Sequence, residues 1–100
     1  MDLIKKIFGY IISFKIIDDT LIDIGEILSN KGMNTSRQDC LEILESHKIY
    51  SLQKFKPQAL KLVLLFIKIS LKDNLISDEE LKSIRFLKLL FDIEEGEFIN

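Results

Sequence analysis

Apolar side chains recur at Leu3, Ile4, Ile7, Phe8, Ile11, Ile12 and Ile16, the 3.6-residue period of an amphipathic helix over 3–17. Lys5, Lys6, Ser13 and Lys15 fall off that stripe. "DDT", 18–20, breaks the pattern. Thr20 is placed to cap a second helix, with Asp23 three residues on and a stripe of Leu21, Ile24, Ile27 and Leu28. One long helix over 3–29 is the alternative. "SNKGMN", 29–34, stops the chain with Asn and Gly. Thr35 and Gln38 then have capping-box spacing and predict a third helix over about 36–47, apolar at Cys40, Leu41, Ile43 and Leu44.

"SHKIYSLQKFK", 46–56, fits no element by pattern. Pro57 suits a helix first turn, where its missing N–H costs nothing. From Pro57 to Lys72 the chain is apolar almost all round, with Lys61, Lys68 and Lys72 in one narrow stripe. Such a helix is surrounded on most sides, which makes 57–72 the expected central helix. Ser77 and Glu80 form a second capping box, and Asp78, Glu79 and Glu80 bring negative charge to the positive helix end. The helix they open has a core stripe of Leu81, Ile84, Leu87 and Phe91, widened by Phe86 and Leu90. Ile93 and Phe98 are expected to dock a final short turn. No strand pattern occurs. The predicted class is all-α: one domain, a bundle of about four main helices.

A shift of 43 residues lays Leu28 on Leu71, Met33 on Ile76, Leu41 on Ile84, Ile43 on Phe86 and Leu44 on Leu87. Both copies read helix, turn with one apolar plug, capping box, helix. A real repeat would make two stacked helical hairpins, although so many apolar residues can also supply the match by chance.

Composition narrows the functional classes. The chain has 100 residues, 47% hydrophobic and 30% charged, with a net charge of −2. That balance suits a soluble domain and gives no bulk attraction to nucleic acid. Cys40 is the only cysteine, so no intrachain disulfide can form, in keeping with a cytoplasmic location. The uncharged run Ile7–Phe14 is short and lacks a cleavage motif, so neither export nor membrane crossing is expected. The first helix has too few cations on its polar face to favour a membrane surface.

"KDNLISDEEL", 72–81, reads like the back half of a calcium loop. With Ile76 as the apolar plug, Asp73, Ser77 and Glu80 fall at ligand positions. Ile69 and Leu71 then stand where two carboxylates are needed, and Asn74 where a glycine is usual. Calcium takes about six to eight oxygens, so an EF-hand is rejected. The earlier copy fits worse, with Leu28 and Arg37 at ligand positions. Asp73, Asp78 and Glu80 remain as candidates for a weak divalent-cation site, against a purely capping role for Glu80 with Ser77.

The stretch "LFIKISLKDNLISDEELKSIRFLKLLFDIEEGEF", 65–98, resembles the TerB-like domain, named for the bacterial tellurite-resistance protein. That family has an apolar helix, an "ADG-x-I-S-x-x-E" turn and a second helix. Asp73, Ile76, Ser77 and Glu80 stand at the matching places, Leu90–Ile93 echo the apolar end and Phe98 the tail. Asn74 replaces the usual Gly, and Leu71-Lys72 replace the usual Ala. The resemblance implies a helical module of stress-response and membrane-associated assemblies, with no catalytic chemistry and sometimes with acidic metal sites. On that pattern Asp73 and Glu80, neighboured by Asp78 and Glu79, are the residues to carry over.

Cys40 and His47 are seven apart and share a helix face, but no third ligand or base stands at helical spacing. No phosphate loop exists among the scattered glycines. Five lysines and no acid lie between Lys54 and Lys72, and four acids and no base between Asp92 and Glu97; these are solvated faces or opposed docking patches. The expected function is a non-enzymatic interaction module with a protein partner. The alternative is a small helical inhibitor or immunity-type protein that blocks its partner. An enzyme subunit ranks last.

Overall fold

The computed structural model describes residues 2–13, 18–71 and 77–94. Among these residues five α-helices follow in order: α1 (Leu3–Ile11), α2 (Asp19–Lys31), α3 (Arg37–Ser46), α4 (Leu52–Ser70) and α5 (Asp78–Leu90), with a 3-10 turn at Gly32–Asn34. No strand occurs among the described residues, so the class is all-α as expected. α2 packs on α3 and α4 on α5, and α1 touches α2, α4, α5 and the 3-10 turn.

Helix boundaries follow the caps. Asp2 caps α1. The helix ends where the Ser13 hydroxyl donates to the Tyr10 carbonyl at 2.6 Å, so it is shorter than the expected 3–17 and no helix runs through 3–29. Asp18, not Thr20, caps α2: its Oδ1 accepts from the Leu21 N–H at 2.9 Å, and its Oδ2 accepts from Gln58 at 2.8 Å, fastening α2 to α4. Gly25 lets α2 close onto the end of α1, since a Cβ there would lie 2.5 Å from a methyl of Ile12.

The first capping box is one residue later than expected. Ser36 Oγ accepts from the Asp39 N–H at 3.0 Å, and Asp39 Oδ2 accepts from the Ser36 N–H at 2.9 Å. Thr35 is unavailable because its N–H closes the 3-10 turn on the Gly32 carbonyl at 3.0 Å, and its side chain is buried. The Ser36 backbone and then Lys31 hold the half-buried Asp39 carboxyl below its usual 3.8. The stabilisation this adds is complete above pH 3.8. It is lost as the pH falls through the depressed folded value.

Thr35 Oγ1 is buried without a hydrogen-bond partner among the described residues. An orphaned hydroxyl keeps its desolvation cost and returns nothing, so Thr35→Val is expected to be neutral or stabilising by about 1 kcal/mol. Urea unfolding checks this; a clear loss of stability would show that the hydroxyl is bonded.

α4 begins five residues before Pro57, taking in part of the stretch that pattern left unplaced. Ser51 caps it, accepting from the Lys54 N–H at 3.2 Å, and Phe55 reaches the core. Pro57 therefore lies inside the helix, not in its first turn. The missing N–H leaves the Gln53 carbonyl on a face where Gln53 and Pro57 are both exposed, so water can satisfy it. Phe55, Ala59, Leu62, Val63 and Phe66 are buried, while Lys61 and Lys68 are exposed and Leu64 is 51% exposed. The apolar run is thus enclosed on one side and open along the 61–64–68 line.

One core cluster draws on every helix, through Ile4, Phe8 and Ile11 of α1, Leu21, Ile24 and Leu28 of α2, Cys40 and Leu44 of α3, the α4 set, and Leu87 and Leu90 of α5. Two aromatic pairs fix its layers: Phe8 stacks on Phe66 at 5.6 Å between centroids, and Phe55 meets Phe91 at 5.9 Å. Ile93 is buried as expected; Phe98 lies outside the described residues.

The shift of 43 residues is visible in the second helices: Cys40 and Leu44 are buried in α3, and Ser83 and Leu87 at the equivalent places in α5. It fails in the first helices, where buried Leu21 corresponds to exposed Leu64. Met33 is 39% exposed and is no core plug. Its counterpart Ile76 lies outside the described residues.

Candidate functional site

The acidic start of α5 is the candidate site that sequence reasoning singled out. The second capping box forms as expected: the Ser77 N–H donates to Glu80 Oε1 at 3.0 Å, and the Glu80 N–H donates to Ser77 Oγ at 3.1 Å. Glu80 Oε2 is buried without a hydrogen-bond partner among the described residues. Asp78 and Glu79 are exposed in the first turn.

Two clefts flank this helix end. The larger, about 720 Å³, lies between α1, the end of α4 and the start of α5. Leu3, Ile7, Tyr10 and Ile69 supply its apolar wall, and Lys6 of α1 and Glu79 and Glu80 of α5 also line it. The smaller, about 490 Å³, is lined by Asp2, Asp78, Glu79 and Lys82. The candidate ligands are therefore divided: Glu80 lines the larger cleft, Asp78 the smaller, and Asp73 lies outside the described residues. Among the described residues no group of three or more His, Cys, Asp or Glu is placed to hold a metal ion.

Sequence reasoning missed the part played by α1. Ile4, Ile7, Phe8 and Ile11 enter the core, and Ile7 also borders the cleft together with half-buried Leu3 and exposed Tyr10. The signal was present in the breadth of the apolar pattern, but only tertiary packing shows what each residue faces.

Cys40 and His47 do not form a reactive pair. Cys40 is fully buried, and burial first, then the Asp39 charge, pushes its thiol up to about 12. That is the reverse of an activated cysteine. His47 closes α3 and meets Asp23 of α2 at 2.6 Å, so it ties the α2–α3 hairpin.

The lysine-rich stretch is dispersed along α4: Lys54, Lys61 and Lys68 are exposed and Lys56 half-buried. Asp92 and Glu94 are exposed, and the remaining acids of that run lie outside the described residues. No helix among the described residues is long and apolar enough to cross a membrane.

Compared with protein-family models, with curated proteins and with solved structures, the chain matches none. The all-helical class stands on the structure itself, and the TerB-like resemblance on residues 65–98 alone.

Proposed function

We propose that this chain is a non-enzymatic helical interaction module whose larger cleft receives an apolar side chain from a protein partner. The observation that carries the reading is the cleft-facing edge of α1, where exposed Tyr10 and partly buried Leu3 flank the core residue Ile7 and border an open cleft. A cleft of about 720 Å³ has the volume of a ligand site. Apolar walls supply affinity there, and Lys6 with Glu79 supply orientation. The unactivated Cys40 and the structurally engaged His47 support a non-enzymatic role. The TerB-like resemblance favours the same class, and in this reading Glu80 is a cap.

Site-specific photo-crosslinking in source cells tests this. A photoreactive phenylalanine at position 10 is expected to give one discrete protein adduct, and the same group at exposed Leu64 none. No adduct at 10, or the same adducts at both, would overturn the reading. A cation plays no part in this docking, so millimolar Ca²⁺ or Mn²⁺ is expected to leave the melting temperature unchanged. A metal-dependent rise would require binding to the folded chain and would bring Asp73, Asp78 and Glu80 back as ligands.

A further inference from the structure

At the opposite end of α5, Arg37, Arg85, Lys88, Leu89, Asp92 and Ile93 line a depression of about 400 Å³. Part of this arrangement has a structural explanation. Arg37 Nε donates to the Leu90 carbonyl at 3.3 Å, and its Nη2 donates to the Leu89 carbonyl, so Arg37 closes the end of α5 from the start of α3. Lys88 in the last turn opposes the negative end of the helix dipole.

Arg85 and Leu89 are left over. Arg85 is exposed, stands more than a turn before the helix end, and forms no ion pair among the described residues. Leu89 is 74% exposed, the highest value among the exposed large hydrophobics. The two are four residues apart and so lie on one face of α5. Arg37 adds a third element: carbonyls hold one edge of its planar fork, which fixes the orientation of the remaining N–H donors.

We infer that this end of α5 docks an acidic segment of a protein partner, with an apolar side chain seated on Leu89 and its carboxylates at Arg85 and Arg37. Charge complementarity selects that occupant. Arg37, Arg85 and Lys88 outnumber Asp92 in the lining, on a chain whose net charge is −2 and beside exposed Glu94, so the attraction is local to the arginine side. A long polyanion would meet Asp92, whereas a short segment can place its carboxylates on the arginine side. Leu89 adds a requirement for an apolar contact that a simple anion cannot meet. The surface lies at the other end of α5 from the cleft of the proposed function and does not depend on it.

The test uses the full ¹⁵N-labelled chain and three capped hexapeptides: alternating Glu and Leu, alternating Lys and Leu, and alternating Glu and Ser. Only the Glu/Leu peptide is expected to shift the Arg85, Leu89 and Ile93 amides. Arg85→Glu and Leu89→Ser are each expected to weaken that binding about tenfold or more, the scale of one lost charge-assisted or apolar contact, with the melting temperature unchanged. Equal shifts with the Lys/Leu peptide would show that charge is not read. Equal shifts with the Glu/Ser peptide would show that Leu89 is not used. No shift of these amides at millimolar Glu/Leu peptide would also overturn the proposal. Tyr10 reports the larger cleft separately, so failure of either reading is distinguishable.

Discussion

Replacing Phe66 with alanine is expected to destabilise the protein by about 3–5 kcal/mol, the range for truncating a fully buried aromatic. Phe66 is completely buried and stacks on Phe8 at 5.6 Å, so its ring joins α4 to α1 at the middle of the core. Truncation removes the transfer energy of the ring and leaves a cavity between two helices that other contacts hold apart. For a domain of this size each kcal/mol lowers the melting temperature by about 4–8 °C, so the shift is expected to exceed about 12 °C. Leu64→Ala, two residues away on the same helix, is expected to stay within about 0.5 kcal/mol because Leu64 already faces water. Thermal and urea unfolding of the two variants checks both values. Similar losses at 64 and 66 would mean that α4 is rotated from the orientation described.

Gly32→Ala is the second large effect, expected at about 3 kcal/mol from two sources that can be separated. Gly32 has φ 57° and ψ −130°, in a region that side-chain-bearing residues avoid at a cost of about 1–3 kcal/mol. A Cβ there would also lie 2.0 Å from Asp2 Oδ2. That carboxylate cannot simply swing away, because it accepts from the Lys5 N–H at 3.3 Å and from the Met33 N–H at 2.9 Å. Displacing it removes the α1 cap, worth about 1 kcal/mol, together with a link from α1 to the 3-10 turn. Asp2→Ala alone is expected to cost about 1 kcal/mol. In that background Gly32→Ala should cost less than in the native chain, the difference being the coupling energy. Strict additivity in the double-mutant cycle would show that the two positions act independently.

Local chemistry made some elements legible and left others open. Ser77 and Glu80 were readable because a single hydroxyl and a single acid stand at the required spacing. At the α3 start, Thr35 and Ser36 stand side by side, with Gln38 and Asp39 three residues beyond each. Which pair caps is decided by the 3-10 turn, whose closing hydrogen bond uses the Thr35 N–H. Pro57 misled for a similar reason: it can open a helix, but Ser51 caps earlier and Phe55 anchors the added turn in the core.

Periodicity could not orient α4, because Leu64 and Phe66 look alike in an almost continuous apolar run. The α5 site was legible only as far as its cap. Its clefts depend on α1 lying beside α5, a contact between helices at least 67 positions apart in sequence. The closure of α5 by Arg37 spans 53 residues, and no local pattern announces it.

The burial of Cys40 gives the molecule an internal clock. It is the chain's single thiol, fully buried, with its ionisation pushed up to about 12. An alkylating reagent reacts with the thiolate, so in neutral buffer modification must wait until α3 lifts from the core. When reclosing is fast, the observed rate is the opening equilibrium multiplied by the rate for an exposed thiol. Each chain can take only one such label, so the mass spectrum divides into molecules that have opened and molecules that have not.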